Sequence, residues 1–113
     1  MVTQQAFILI IDDGKGRREI PLGDAVYSID RDPKCDIHLF SEFSSRIHAT
    51  LVRRYHEDGS FSYLIVDGNL KGKRSDHGLL INGQKLQSHN LENEDEIVFS
   101  PGVSAKYYRP THL

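Results

Sequence analysis

Apolar residues recur at every second position through most of this chain. The clearest case is Ile47 to Tyr55, "IHATLVRRY", in which Ile47, Ala49 and Leu51 share one face. Side chains alternate across a strand with a period of two, so this spacing predicts a half-buried strand. "DEIVFS" (Asp95 to Ser100) repeats the pattern with Ile97 and Phe99 in register, and "VSAKYYR" (Val103 to Arg109) repeats it with Val103, Ala105 and Tyr107. "AFILII" (Ala6 to Ile11) is a continuous apolar run of the length of a buried strand. Shorter strands are predicted at Arg18 to Leu22, Ala25 to Arg31, Asp36 to Leu39, Ser60 to Asp67, Gly78 to Ile81 and Gln84 to Leu86. Between them stand Asp13-Gly14, Asp58-Gly59, Asp67-Gly68 and Asn82-Gly83, pairs that tolerate positive φ and favour tight turns. No window carries a sustained helical period with caps. Many short strands at intervals of about 8–12 residues predict an all-β fold, a sandwich or a barrel.

At 113 residues the chain is expected to be one domain, 1–113, able to bury a core without staples. The net charge of −2 supplies no global basic field to draw in nucleic acid or anionic lipid, so any anion site has to be local. Cys35 is the single cysteine; it excludes an internal disulfide framework, fits a reducing compartment, and reads as a small half-buried side chain. No apolar run approaches the roughly 18 residues of a membrane span. "MVTQQAFILIIDDG" lacks the basic start and long apolar core of a signal peptide. A cytoplasmic location, with neither membrane nor nucleic acid as a partner, is the expectation.

The segment "SEFSSRIHATLVRR" (Ser41 to Arg54) sets two serines, an arginine and a histidine at the mouth of the longest strand. A nucleophile with its base is one reading. However, no nucleophile elbow surrounds Ser44 or Ser45, and no third group orients His48. Glu94, Asp95 and Glu96 are a carboxylate cluster just ahead of a strand, a position that reads as a solvated turn rather than acid–base machinery. No complete catalytic set is present, so the chain is not expected to be an enzyme. A metal clip is the second reading. Six histidines (His38, His48, His56, His77, His89 and His112) are scattered without the short spacings of a zinc site, and "DDGKG" lacks the spaced oxygens of a calcium loop. Neither metal nor cofactor is expected. The third reading is an anion cradle. Arg31 at a strand end, Ser45 and Arg46 in a loop, and Lys71, Lys73 and Arg74 in the polar stretch Asp67 to Gly78 supply guanidinium forks, a hydroxyl and charge. A sandwich gathers its loops at its ends, where residues distant in sequence can meet.

These residues resemble the forkhead-associated (FHA) domain family. Its pattern is Gly-Arg at a strand end, Ser-x-x-His a short loop later, and Asn-Gly in a hairpin. Here Arg31 is followed by "DPKCDIHL", Ser45 to His48 lie in "SSRIHA", and Asn82-Gly83 lie in "INGQKL". "LENEDEIVF" resembles the family's Leu-x-x-Gly-Asp-x-Ile, and the likeness runs over about residues 6–109. The resemblance implies a β-sandwich of two antiparallel-rich sheets with ligand-binding loops at one end, acting on phosphothreonine-containing protein segments. It implies that Arg31 grips the phosphate, Ser45 donates its hydroxyl to it, and Arg46 adds charge and a backbone N–H. It places Lys73, Arg74, Ser75, Asp76 and His77 in a second, peptide-binding loop. His48 would brace the first loop from beneath, and Asn82 and Gly83 would hold the hairpin and the loops around it.

The chain departs from the family at three places. Asp30 replaces the glycine before the arginine, His77 replaces the asparagine that holds the peptide, with Asp76 before it, and Glu94 replaces the glycine of Gly-Asp. A carboxylate within about 5 Å of a phosphate repels it, so Asp30 and Asp76 would each cost about a kcal/mol or more of binding if they faced it. Glu94 would alter only a turn. The expected function is that of a phosphothreonine-binding adaptor downstream of a Ser/Thr kinase. The alternative is a degenerate member that binds protein without phosphate or self-associates through a sheet face. The sequence leaves partner identity and oligomeric state open.

Overall fold

The structure is a computed structural model that describes residues 6–41, 46–68 and 78–110. Eleven strands carry these residues, with no helix among them: β1 Phe7–Asp13, β2 Gly16–Leu22, β3 Val26–Asp30, β4 Ile37–His38, β5 His48–Tyr55, β6 Phe61–Asp67, β7 Leu79–Ile81, β8 Gln84–Leu86, β9 Ser88–Asn90, β10 Glu96–Ser100 and β11 Val103–Tyr108. They form two sheets, ordered β2-β1-β11-β10-β7-β8 and β4-β3-β5-β6-β9. Every pairing is antiparallel except β3 with β4. The sheets stack as a β-sandwich, as the resemblance implied, and not as a barrel.

Alternation is what holds the layers together. Ile47, Ala49 and Leu51 are buried on the inner face, as are Ile97 with Phe99 and Val103 with Ala105 and Tyr107. The continuous apolar run of β1 also alternates: Phe7, Leu9 and Ile11 are buried, while Ile8 and Ile10 lie half-buried on the outer face. Tyr63 and Tyr107 are the largest fully buried side chains, and Phe7 meets Tyr63 edge-on with ring centroids 5.4 Å apart. Tyr63 keeps its polar end satisfied by donating its hydroxyl to the Asp24 carbonyl (2.9 Å).

The turns follow the sequence with one difference. Ile81 pairs with Gln84 across Asn82 (φ 51°) and Gly83 (φ 85°), a two-residue loop of the mirror-image type that strand twist favours. At the first turn the positive φ falls on Gly16, not on Gly14. One strand was not predicted. β9 reads Ser-His-Asn, without an apolar residue to mark it, and forms as an edge strand against Leu64 to Val66.

Candidate functional site

One end of the sandwich brings together the segments that carry Arg31 and Arg46. β3 ends and β5 begins on one rung, Asp30 opposite His48, and β6 ends beside them, with Ala49 opposite Asp67. The Gly68 N–H donates to the His48 carbonyl (2.6 Å), and the Thr50 hydroxyl donates to the Gly68 carbonyl (2.9 Å). In the facing sheet, the β1–β2 turn reaches across: the Gly14 N–H donates to the Phe40 carbonyl (3.0 Å). Chain segments 31–36, 39–41, 46–47 and 68 therefore share one end.

Arg31 opens a short segment rich in internal hydrogen bonds. Asp32 accepts from the Lys34 N–H (2.9 Å) and its carbonyl from the Cys35 N–H (3.1 Å). Asp36 accepts from the Ser28 N–H (2.8 Å) and hydroxyl (3.1 Å), and the Ser28 oxygen accepts from the Asp36 N–H (2.9 Å). The Leu39 N–H closes the segment on the Asp30 carbonyl (2.8 Å). Cys35 is half-buried, as expected, with its sulfur 3.0 Å from the Ile37 carbonyl and 3.4 Å from that of Asp30. Burial pushes its thiol pKa up, so it stays a proton donor.

Asp30 and His48 are joined side chain to side chain. The His48 Nδ1 pairs with Asp30 Oδ2, while Asp30 Oδ1 accepts the Asp32 N–H (3.1 Å). Burial raises the Asp30 pKa, but the hydrogen bonds from His48, Asp32 and Arg31 outweigh it and hold the carboxyl below its usual range. The Asp30 carboxylate is turned toward His48. His48 contacts the β3 end through its ring and Gly68 through its carbonyl.

A second carboxylate does similar work unannounced by any motif. Asp13, whose side chain is fully buried, accepts from the Lys15 N–H (3.0 Å), Arg18 Nη2 (2.8 Å) and the Phe40 N–H (2.8 Å). Arg18 also donates to the His38 carbonyl (3.0 Å). This clasp ties the β1–β2 turn to the chain entering segment 42–46. A Cβ on Gly14 would stand 3.3 Å from the Phe40 carbonyl oxygen, so the approach suits glycine. The sequence marked Asp13 only as a turn residue.

Glu94 and Glu96 of the carboxylate cluster are exposed, but Asp95 departs from the expectation. Asp95 is not part of a solvated turn; it is buried and accepts from Asn82 Nδ2 (2.8 Å), His89 Nε2 (2.9 Å) and the Glu92 N–H (2.8 Å). Burial raises its pKa, and these donors more than reverse that, leaving it low. Asn82 completes the join by accepting the Glu96 N–H (2.9 Å), so it fastens the β7–β8 hairpin to the start of β10. Glu94 is left-handed at φ 69°, in the place of the family's glycine.

Of the residues expected to bind, Arg31 is half-buried and Arg46 exposed, and both belong to this end. Ser45, Lys73, Arg74, Ser75, Asp76 and His77 lie outside the described residues. Among the described residues no group of three or more histidine, cysteine or carboxylate side chains is placed to hold a metal, and no helix is long and apolar enough to cross a membrane.

The FHA domain family model matches residues 27–100. The chain belongs to the FHA domain family. The crystal structure of the Slr1951 protein from Synechocystis is similar to it, with 48% sequence identity and a TM-score of 0.84 over 91% of this chain and 97% of that one. The yeast Dun1 FHA domain, solved in complex with a doubly phosphorylated (pT) peptide derived from Rad53, shares the fold at a TM-score of 0.66 and 24% identity, over 91% of this chain and 73% of that one. The Synechocystis protein sll1895 is 33% identical over 99 residues, or 88% of this chain. The chain spans 14% of the length of that curated relative.

Proposed function

We propose that this FHA domain, with its core at about 6–109, binds phosphothreonine segments of partner proteins and so tethers them after a Ser/Thr kinase has acted. The observation that carries the reading is the Asp30–His48 rung at the end of the sandwich. It puts Arg31 one residue beyond the rung and Arg46 two residues before it, on adjacent chain segments. Phosphate recognition asks for guanidinium groups on a backbone that is already ordered, because ordering it on binding would subtract from affinity. The acids of this end support the reading: Asp13, Asp30, Asp32 and Asp36 are engaged as internal acceptors. Arg31 grips the phosphate, Ser45 and Arg46 complete its coordination, and residues 73–77 contact the peptide backbone. The domain acts by binding and not by catalysis, and the free Cys35 suits the reducing cytoplasm.

The test is selection from a degenerate phosphothreonine peptide library alongside its unphosphorylated twin. Enrichment of phosphorylated sequences by the wild-type domain, lost in Arg31→Ala, supports the reading. Equal retention of both libraries overturns it in favour of phosphate-independent binding.

A further inference from the structure

The family's glycine before the arginine has no side chain, so nothing at that position can reach the histidine of Ser-x-x-His. In this chain Asp30 does reach it. We infer that Asp30 is a positioning residue of the phosphate site, a bracket that fixes the Arg31 segment to the segment carrying Ser45 and Arg46; this rests on the phosphothreonine reading.

Three groups converge on this residue from both segments. Its Oδ2 holds the His48 ring, its Oδ1 holds the Asp32 N–H one residue past Arg31, and its carbonyl accepts the Leu39 N–H where the chain returns from the turn. His48 lies three residues after Ser45 and two after Arg46, and its own carbonyl holds Gly68, where the second loop departs. The side chain of Asp30 thus joins the exit of β3 to the entry of β5, 18 residues apart in sequence. A carboxylate whose two oxygens both accept from the protein's own donors is oriented by them. It lends its charge to His48 more than to a bound phosphate. The bracket reverses the simple expectation from charge. On repulsion alone, removal of Asp30 tightens phosphopeptide binding; on the bracket reading, it weakens binding.

The experiment compares Asp30→Gly and Asp30→Asn with the wild-type domain, each confirmed folded by its thermal melt. Affinity is measured for a library-selected phosphothreonine peptide, and amide hydrogen exchange is followed at Asp32 and Leu39. Asp30→Gly, which restores the family residue, is expected to weaken phosphopeptide binding by about tenfold, since bonds to a charged acceptor are lost. Asp30→Asn keeps an acceptor oxygen without the charge and is expected to stay within about threefold of wild type. Exchange at Asp32 is expected to speed up in Asp30→Gly and much less in Asp30→Asn. Binding by Asp30→Gly that equals or exceeds wild type overturns the inference, as does an equal loss in both variants. A wild-type domain that ignores phosphorylation overturns the functional reading instead. In that case unchanged exchange at Asp32 in Asp30→Gly still refutes the bracket, and faster exchange upholds its structural part.

Discussion

Replacement of Asp95 by alanine is expected to destabilise the domain more than any other single change to a carboxylate at 94–96. Its side chain is 9% exposed and receives three hydrogen bonds, from Asn82, His89 and the Glu92 backbone. Hydrogen bonds to a charged group contribute about 1.5–3 kcal/mol each, and a buried donor left unmet costs about 1–3 kcal/mol. His89 lies near the surface and regains water, which discounts its share. Asn82 keeps its bond to the Glu96 N–H, so the hairpin is loosened and not released. The net loss is about 3 kcal/mol, a large part of the roughly 5–15 kcal/mol that holds such a domain folded. At about 4–8 °C per kcal/mol for a domain near this size, the melting temperature falls by about 12–24 °C. Calorimetry or a circular-dichroism melt reads the shift. Asp95→Asn offers one oxygen and one NH2 to three donors, so it is expected to lose about 2 kcal/mol. A fall of less than about 5 °C in Asp95→Ala refutes the claim that this carboxylate fastens β7–β8 to β10.

Glu94→Gly is expected to stabilise the fold by about 0.5–1 kcal/mol, because the left-handed conformation costs an ordinary residue about 1–2 kcal/mol and glycine returns part of that as chain entropy; the urea midpoint rises with the slope unchanged. Asp30 and Asp95 both have folded pKa values held below the usual range, so their stabilisation is present above the unfolded carboxylate pKa and is lost as pH falls through the lower folded values. Denaturant titrations from pH 7 down to about pH 2 should show stability falling in acid, with a shallower fall in Asp95→Asn. Gly14→Ala crowds the Phe40 carbonyl and is expected to cost about 1 kcal/mol, whereas Gly23→Ala, with open space around it, stays within about 0.5 kcal/mol of wild type in the same melts.

The strands were legible because burial imposes a period of two on residues such as Ile47, Ala49 and Leu51. The type I′ turn at Asn82-Gly83 was legible because few residue pairs accept two positive φ angles. β9 was not legible: an edge strand of Ser88, His89 and Asn90 is held by backbone pairing to β6 and carries no apolar mark. Carboxylates were the hardest to read. Asp13, Asp30 and Asp95 look alike in a sequence, yet each combines a backbone partner two or three positions away with side-chain or backbone partners 5 to 27 positions away. Asp30 shows the consequence most plainly. Sequence gives its charge and its place beside Arg31, but only the β3–β5 register shows that His48 lies opposite it. Arg31 and Arg46 were grouped only through the family resemblance, and the same register sets them on adjacent segments, one residue after Asp30 and two before His48.

The most direct test of the account is a fluorescence-anisotropy titration of one library-selected peptide in its phosphothreonine and unphosphorylated forms, against wild-type domain and Arg31→Ala. Wild type is expected to bind the phosphorylated form at least about 30-fold tighter, and Arg31→Ala to abolish the difference, as loss of a charge pair at an interface would. Equal affinity for both forms, or a preference for phosphate that survives Arg31→Ala, would contradict it.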